Sequence, residues 1–213
     1  NTIVDTTGEP LDGDRDGQAG GSFNFWFVTA SVANTIYVDK LSPSAGSNGS
    51  LSNPYNTINS ALAAASGSTR VIRIVGNSGN AATFSDDQAY LIGTDLQGQS
   101  LADGSTFNVP VGVTVMIDEG SLFKLRASVI DVGSSSPIVS RAGASIQVLG
   151  TTQNQVQFTS YHNDLLGGNT DGVGPAAVGG QWGGIVLRKD SDSSTKKLFL
   201  NSISQAKFTY GGG

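Results

Sequence analysis

Between residues 109 and 161, apolar and polar residues alternate in short runs that glycine or small polar residues interrupt. A period of two is that of a β-strand, in which successive side chains point to opposite faces. The runs therefore predict several short strands, each with one face that can be buried and one that can be solvated. The residues expected on the buried faces are Val113, Val115, Ile117, Phe123, Leu125, Ile130, Val132, Ile146, Val148, Val156 and Phe158.

Strands this short, with turns this frequent, fit a sandwich, a barrel or a solenoid. The unit recurs every 20 to 30 residues or so, roughly the period of repeat folds, and this favours a solenoid in which each turn packs on the next. With 29 glycines and only 14% charged residues, the chain has the composition of a turn-rich β protein. Its net charge of -5 argues against a nucleic-acid partner, and no apolar run reaches the ~18 residues of a membrane span.

The first 33 residues are predicted to form a separate strand pair, residues 2–4 and 23–28. In the second strand Phe23, Phe25 and Phe27 share one face, while Trp26 lies on the other. This aromatic strand (residues 23–28) is apolar on nearly both sides, and two strands are too few to cover it. We therefore expect it to mediate assembly, through Phe23, Phe25, Trp26 and Phe27, with another polypeptide.

Between these two strands lies an acidic turn, defined here as Asp12, Asp14, Asp16 and Gln18. Oxygen ligands at alternate positions of a tight loop are what Ca²⁺ requires, and three unneutralised carboxylates in one turn would repel one another. In a complete EF-hand loop the twelfth position would hold Glu, but here it holds Phe23. The sequence predicts a structural Ca²⁺ site at these four residues; the alternative is a plain acidic hairpin turn.

One helix is predicted in residues 34–213. Thr57 can cap residues 58–65, in which Ile58, Ala61, Leu62 and Ala65 share one face. Residues 71–75 follow as a buried strand, and residues 35–39, 90–92, 185–187, 198–200 and 208–210 are further strand candidates. The rest of residues 80–108 is expected to wander over the surface.

The segments Tyr37-Val38-Asp39 and Asn53-Pro54-Tyr55-Asn56-Thr57-Ile58, with the helix and strand that follow, resemble the N-terminal cap of right-handed parallel β-helices of the pectate-lyase-like superfamily. The resemblance continues through residues 120–125, 148–151, 156–160 and 181–185, which are similar to coils of very large bacterial surface proteins, and it covers about four fifths of the chain. The acidic turn resembles the turn between the last strands of immunoglobulin-like domains in such proteins. The resemblance implies an all-β fold: the tail of an immunoglobulin-like sandwich at residues 1–33, then a helix-capped right-handed parallel β-helix at residues 34–213.

Residues that could carry chemistry are few. A carbohydrate-active β-helix enzyme would need outward carboxylates gathered on one sheet, and the candidates here are expected to be scattered over a solvated face: Asp118, Glu119 and Asp131, with Lys124, Arg126 and Arg141. His162 is the sole histidine, so no histidine-based triad can form. The absence of cysteine excludes disulfides and a thiol nucleophile.

A glycine-rich insertion at residues 162–180 carries Asn163, Asp164, Asn169 and Asp171. We expect a mobile loop there rather than an ion site or a glycan contact. Trp182, followed by two glycines, is expected to be a packing device rather than a sugar-stacking platform.

The sequence therefore predicts a non-enzymatic structural or adhesive module, extracellular or on a bacterial cell surface. Its partners would be copies of itself, joined head to tail by strand exchange in a filament, or the remainder of a longer chain. Two alternatives remain open, a polysaccharide lyase or hydrolase and a glycan-binding module.

Overall fold

The computed structural model describes residues 4, 6–8, 10, 18, 30–76, 89–172, 174–193 and 200–213. The aromatic strand and the three aspartates of the acidic turn lie outside these residues. Of residues 1–33, Gln18 is exposed, and Val4 and Pro10 form an isolated antiparallel bridge. The predicted immunoglobulin-like strand pair therefore stays a prediction.

The described part of the chain consists mainly of strands, with one α-helix, α1 (Ile58–Ala64), and a 3₁₀ turn at Val32–Asn34. In chain order the strands are β1 (Thr35–Val38), β2 (Val71–Ile74), β3 (Tyr90–Gly93), β4 (Phe107–Asn108), β5 (Thr114–Asp118), β6 (Leu122–Arg126), β7 (Ile130–Val132), β8 (Ser145–Leu149), β9 (Val156–Ser160), β10 (Ile185–Leu187), β11 (Ser202–Ser204) and β12 (Ala206–Phe208).

These strands form three sheets, and every pairing between them is parallel. The first sheet has the order β1-β2-β5-β8-β11, the second β3-β6-β9-β12 and the third β4-β7-β10. From β2 onward the chain passes through the first, second and third sheets in turn. Each such passage is called a circuit below, and each strand pairs with the equivalent strand one circuit earlier. The prediction of an all-β chain is confirmed, with parallel sheets.

The core lies between the three sheets because the period-two pattern places the apolar side chains of each strand inward. The strand register aligns these side chains into rows across the circuits, so that each residue packs on its equivalent in the next strand. The two rows of the first sheet are Ile36, Ile72, Val115, Ile146 and Val38, Ile74, Ile117, Val148. All eight are fully buried except Ile36, which is partly buried.

The second sheet carries a row of rings that we call the aromatic ladder: Tyr90, Phe123, Phe158 and Phe208. Successive ring centroids are 5.3, 4.9 and 5.0 Å apart. This spacing follows from the distance of about 4.8 Å between paired strands, which brings identical positions of successive circuits into ring contact.

Helix α1 covers one end of the core. Thr57 accepts a hydrogen bond from the Ser60 N–H at 3.3 Å, which is the predicted N-cap, and Ile58 and Ala61 are fully buried. The carboxylate of Asp103, itself fully buried, accepts from the Ile58 N–H at 3.0 Å. It also accepts from the Leu91 N–H of β3 and so joins the helix to the second sheet.

Strand β3 confirms the strand predicted at residues 90–92, whereas β4 and β11 were not predicted. The expectation that the rest of residues 80–108 wanders over the surface is wrong for residues 94–108, since they contribute β4 and the buried Asp103. The serine-rich strand β11 has only Ile203 as an apolar residue, too little for the alternation to reveal it. The chain forms it because its backbone pairs with β8.

Candidate functional site

The two ends of the parallel sheets differ. At the end covered by α1, the core residues Val38, Ile58 and Ala61 are fully buried. At the opposite end, formed by β10, β11 and β12, residues in core rows are exposed: Leu187 by 48%, Ile203 by 47% and Phe208 by 45%. Their in-register neighbours one circuit earlier, Val132, Val148 and Phe158, are fully buried. We call this region the open end.

The backbone of the open end is also unpaired on one side. Among the described strands, β11 pairs only with β8, and β12 pairs only with β9. The N–H and C=O groups of an edge strand that point away from its partner are a template for another strand. The open end therefore combines a free hydrogen-bonding edge with an apolar surface.

The aromatic ladder ends here. The Phe208 ring lies 5.0 Å from that of Phe158 with an interplanar angle of 5°, and Trp182 flanks it at 6.4 Å. The indole of Trp182 is 2% exposed, and its Nε1 donates to the Thr209 carbonyl at 2.9 Å. A Cβ on Gly211 would lie 3.3 Å from this indole, so glycine permits the close approach. Trp182 is thus a packing device, as the sequence predicts.

A groove of about 370 Å³ lies beside the open end. Its lining has no charged side chain; it is formed by Ser105, Thr106, Asn108, Ala127, Ser128, Val129, Gly180, Gln181, Trp182, Gly183 and Gly213. Hydroxyl, amide and backbone groups next to apolar atoms are suited to an uncharged ligand.

Asp131 lies on the third sheet between two arginines and is not the solvated residue that the sequence predicts. Its Oδ2 accepts from Arg141 Nη2 at 2.6 Å and its Oδ1 from Arg188 Nε at 2.7 Å. Asp131 is only 4% exposed, and its hydrogen bond raises the pKa of Arg188. With both oxygens engaged by arginine side chains, this carboxylate is poorly placed to act as an acid or a base.

Asp118 and Glu119 lie at the end of β5 and also have partners. Asp118 pairs with Arg73 at 2.9 Å, and Glu119 accepts from the Thr151 hydroxyl at 2.7 Å. Partial burial raises the pKa of Asp118, and the Arg73 guanidinium opposes that rise. Arg126, on the second sheet, donates to two backbone carbonyls instead of to a carboxylate. Asp118, Glu119 and Arg126 are thus each engaged by a partner within the protein.

Lys124 is fully buried, which corrects the expectation that it faces solvent. The insertion packs over the outer face of the second sheet, where Lys124 Nζ donates to the Gly168 carbonyl at 2.5 Å and to the Thr170 hydroxyl at 3.3 Å. Burial lowers the pKa of Lys124, while the charges of Asp164 and Asp171 raise it. Strands β6 and β9 are therefore covered on both faces, on the inside by the core and on the outside by the insertion that follows β9.

The described residues of the insertion are held by specific hydrogen bonds, and the expectation of a mobile loop stays a prediction. His162 and Asn163 are buried, and His162 Nδ1 is hydrogen-bonded to Asp171 Oδ2. The Tyr161 hydroxyl donates to the Thr170 carbonyl at 2.8 Å, while Asn163 Nδ2 donates to the Thr159 hydroxyl at 2.8 Å. The sole histidine is a structural residue of this contact.

The predicted calcium and assembly residues are not brought together by the described structure, because all except Gln18 lie outside it. Within the described ranges, no group of three or more acidic or histidine side chains is arranged to hold a metal ion. In the same ranges no helix is long and apolar enough to cross a membrane.

Sequence reasoning missed Arg188, Asp103 and the exposure of Phe208. A signal existed only for Phe208, because aromatic residues recur at the equivalent position of each circuit. The partners of the Asp103 carboxylate lie 12, 45 and 63 residues away, and Asp131, the partner of Arg188, lies 57 residues away, so only the tertiary structure reveals them.

Comparison of the chain with protein-family models, with curated proteins and with solved structures finds no match.

Proposed function

We propose that this chain is a right-handed parallel β-helix of the pectate-lyase-like type that serves as a non-enzymatic structural or adhesive module of a bacterial surface protein. It would assemble head to tail, with an extended segment of one copy adding to the open end of the next. The observation that carries the proposal is the contrast between the two ends of the sheets. One is covered by α1, while the other leaves Ile203 and Phe208 about half exposed.

The proposed right-handed winding of the chain is supported by a general rule. Connections between parallel strands are right-handed in about 98% of known cases because right-twisted strands pack back onto a sheet only that way. The connections between parallel strands run through the three sheets in a fixed order, so the rule applies to each circuit and supports a right-handed path. The closely stacked apolar rows support a β-helix further, since each circuit buries its inner face on its neighbours.

Strand addition at the open end is favoured by both side chains and backbone. Covering a half-exposed Ile203 or Phe208 stabilises the complex by about 1 kcal/mol each. A paired strand adds main-chain hydrogen bonds, which give affinity, while the side-chain rows give specificity.

The donor would be the aromatic strand, which the sequence makes apolar on nearly both sides. It precedes β1, the strand at the α1 end of the first sheet, whereas the acceptor edges β11 and β12 lie at the opposite end. Donor and acceptor are different surfaces, so the contact is heterologous, and such contacts extend into filaments when they do not close. The acidic turn, if it binds Ca²⁺, would order the segment that leads to the donor.

The absence of catalysis is supported by the partners of the outward carboxylates. Asp131 is held by two arginines, and Asp118 by one. We expect no lyase or hydrolase activity on polyuronates or other polysaccharides, and activity that disappears in Asp131→Asn or Glu119→Gln would overturn this part of the proposal.

Assembly is tested by sedimentation velocity of the full chain over a range of concentrations. The wild type should form species larger than a monomer as concentration rises. Ile203→Lys places a charge at the open end and should shift this equilibrium toward monomer. The matched control is Ile138→Lys, since Ile138 is 93% exposed in a turn between β7 and β8 and belongs to none of the strands of the open end, and it should assemble like the wild type.

A wild-type chain that stays monomeric at the highest soluble concentration would refute head-to-tail assembly. Equal assembly of the Ile203→Lys and Ile138→Lys variants would show that the contact lies elsewhere on the molecule.

A glycan-binding module is the second candidate, favoured by the uncharged groove beside Trp182. Neutral oligosaccharides would bind there through the amide of Gln181 and the hydroxyls of Ser128 and Thr106. Titration calorimetry with a panel of neutral oligosaccharides tests this, and Gln181→Ala should weaken any binding observed.

A further inference from the structure

We infer that a cavity between the loop after β3 and the glycine-rich insertion binds a primary ammonium group carried on a short alkyl chain. The cavity has a volume of about 230 Å³, and we call it the carboxylate cavity. It is lined by Asp95, Leu96, Gln97, Tyr161, Thr170 and Asp171. None of these residues belongs to the strands of the open end, so the inference does not depend on the proposed assembly.

Asp171 forms part of the wall of this cavity, and only one of its carboxylate oxygens has a partner. Its side chain is 3% exposed, and its Oδ2 is hydrogen-bonded to His162 Nδ1. Its Oδ1 is buried and has no hydrogen-bond partner. A buried carboxylate oxygen without a donor is costly, because it has lost its water and gained nothing in exchange. A donor that enters the cavity would supply the hydrogen bond that this oxygen lacks.

Asp95 lines the same cavity from the loop after β3. Its Oδ1 accepts from the backbone N–H groups of Gln97 and Gln99 at 2.9 and 2.7 Å, which fixes the orientation of the carboxylate. Burial raises the pKa of Tyr161, the negative charges of Asp171 and Asp95 raise it further, and Arg126 opposes them. Both carboxylates therefore lie close enough to Tyr161 for their charges to act on it, and a cation beside this ring would be attracted by both.

The basic side chains nearby donate to other groups. Arg126 donates to two backbone carbonyls, and Lys124 donates to one carbonyl and one hydroxyl. In the described part of the chain, the ion pairs of lysine and arginine include neither Asp95 nor Asp171. The charged groups that line the cavity are thus two carboxylates, while the neighbouring cations are held by backbone and hydroxyl oxygens.

The remaining lining fits an alkylammonium ion better than a divalent metal ion. Ca²⁺ takes about six to eight oxygen ligands, whereas this cavity offers two carboxylates, one of them already bonded to His162, and few other oxygens. Leu96 and the Tyr161 ring would contribute nothing to a metal ion, but they can cover methylene groups, and an aromatic ring also attracts an ammonium group. The volume is below the about 300–1,000 Å³ of pockets for drug-sized ligands, so it suits a small amine or a single side chain.

The test is titration of the full-length protein with n-butylammonium chloride at constant ionic strength, followed by proton NMR. His162 is the sole histidine, so its ring signals can be assigned, and its hydrogen bond to Asp171 makes them sensitive to a ligand on that carboxylate. We expect saturable shifts with a dissociation constant on the order of 1 mM. n-Butanol, which has a similar shape but no charge, should give no saturable shift.

A pair of variants tests whether the cavity is the binding site. Asp95→Asn keeps the shape of the side chain and leaves the contact between His162 and Asp171 in place, and it should weaken n-butylammonium binding by about fivefold. The matched control is Asp164→Asn, because Asp164 is exposed in the same insertion but does not line the cavity. It should change the dissociation constant by less than about twofold.

A second titration, with Nα-acetyl-lysine amide, distinguishes the two sources of such a group. Binding at least as tight as that of n-butylammonium would identify the ligand as a lysine side chain of a peptide or protein, and binding of n-butylammonium alone would identify a free amine. The inference is wrong if n-butylammonium gives no saturable shift, if n-butanol binds equally well, or if Asp95→Asn and Asp164→Asn bind alike. It is also wrong if calcium chloride gives the same shifts at lower concentration, since the cavity would then be a metal site.

Discussion

Removing the carboxylate of Asp103 tests how the capping helix is joined to the sheets. This side chain is fully buried and is paired with Lys40, whose side chain is 11% exposed. Its oxygens also accept from the Ile58 N–H at 3.0 Å, in the first turn of α1, and from the Leu91 N–H at 2.7 Å, in β3. One residue therefore connects the loop after β1, the helix and the second sheet.

The expected cost follows from these three partners. Asp103→Ala leaves two buried N–H donors without an acceptor, at about 1–3 kcal/mol each, and a largely buried ammonium without its counter-charge. Removing one partner of a buried ion pair costs about 3–5 kcal/mol in all. Because the Lys40 side chain is 11% exposed and can be partly rehydrated, we expect a cost near the middle of that range. We predict that Asp103→Ala lowers the free energy of unfolding by about 4 kcal/mol. Asp103→Asn, which keeps the shape and one acceptor oxygen, should cost about half as much.

The assay is urea unfolding followed by far-ultraviolet circular dichroism at neutral pH. The matched control is Asp118→Ala, which breaks the ion pair with Arg73. Arg73 is 49% exposed and Asp118 17%, so this variant should lose less than about 1 kcal/mol. If the losses in free energy of unfolding of Asp103→Ala and Asp118→Ala differ by less than about 1 kcal/mol, burial does not decide the cost of removing the carboxylate.

Three further predictions concern the glycine that follows β8, the buried Lys124 and the acidic turn. Gly150→Ala should lower the free energy of unfolding by more than about 2 kcal/mol, because its Cβ would lie 2.2 Å from the Gln205 carbonyl oxygen. Its control is Gly67→Ala, whose Cβ would have nothing within 4 Å and which should cost less than about 1 kcal/mol in the same urea assay. Burial lowers the pKa of Lys124 in the folded protein below its ordinary value of 10.5. At pH values between the two, the unfolded chain binds more protons than the folded chain, so the folded state gains stability as the pH rises. The free energy of unfolding of the wild type, relative to that of Lys124→Met, should therefore rise with pH over this range. A pH-independent difference would contradict this. EGTA should lower the melting temperature, and unchanged thermal unfolding would mean that the acidic turn binds no Ca²⁺.

Period-two alternation was sufficient to predict the strands of the core. Val115, Ile117, Phe123, Leu125 and Phe158 are fully buried as the pattern predicts. The pattern works because the side chains of a strand alternate between its faces whatever the rest of the fold does. The helix and its cap at Thr57 were equally local, since an N-cap involves residues only three apart.

What alternation could not predict is what covers the outer faces. Lys124 and Thr159 were expected to face solvent, yet both are fully buried, because the insertion folds back over the second sheet. Asp131 is buried because Arg141 and Arg188 arrive from 10 and 57 residues away. A polar residue at an outward strand position has the same pattern in the sequence whether it is exposed to water or covered by another segment of the chain.

The sequence by itself thus determined the strands between residues 109 and 161, which face of each is apolar and where the capping helix begins, because these depend on contacts within a few residues. Only the tertiary structure decided the order of the strands in three parallel sheets, the alignment of the aromatic ladder and the exposure of Phe208 at its end. Those features arise from pairing between residues 23 to 55 positions apart, and many registers satisfy the same local alternation. The fold selects the register that stacks ring on ring and aliphatic on aliphatic side chain through successive circuits.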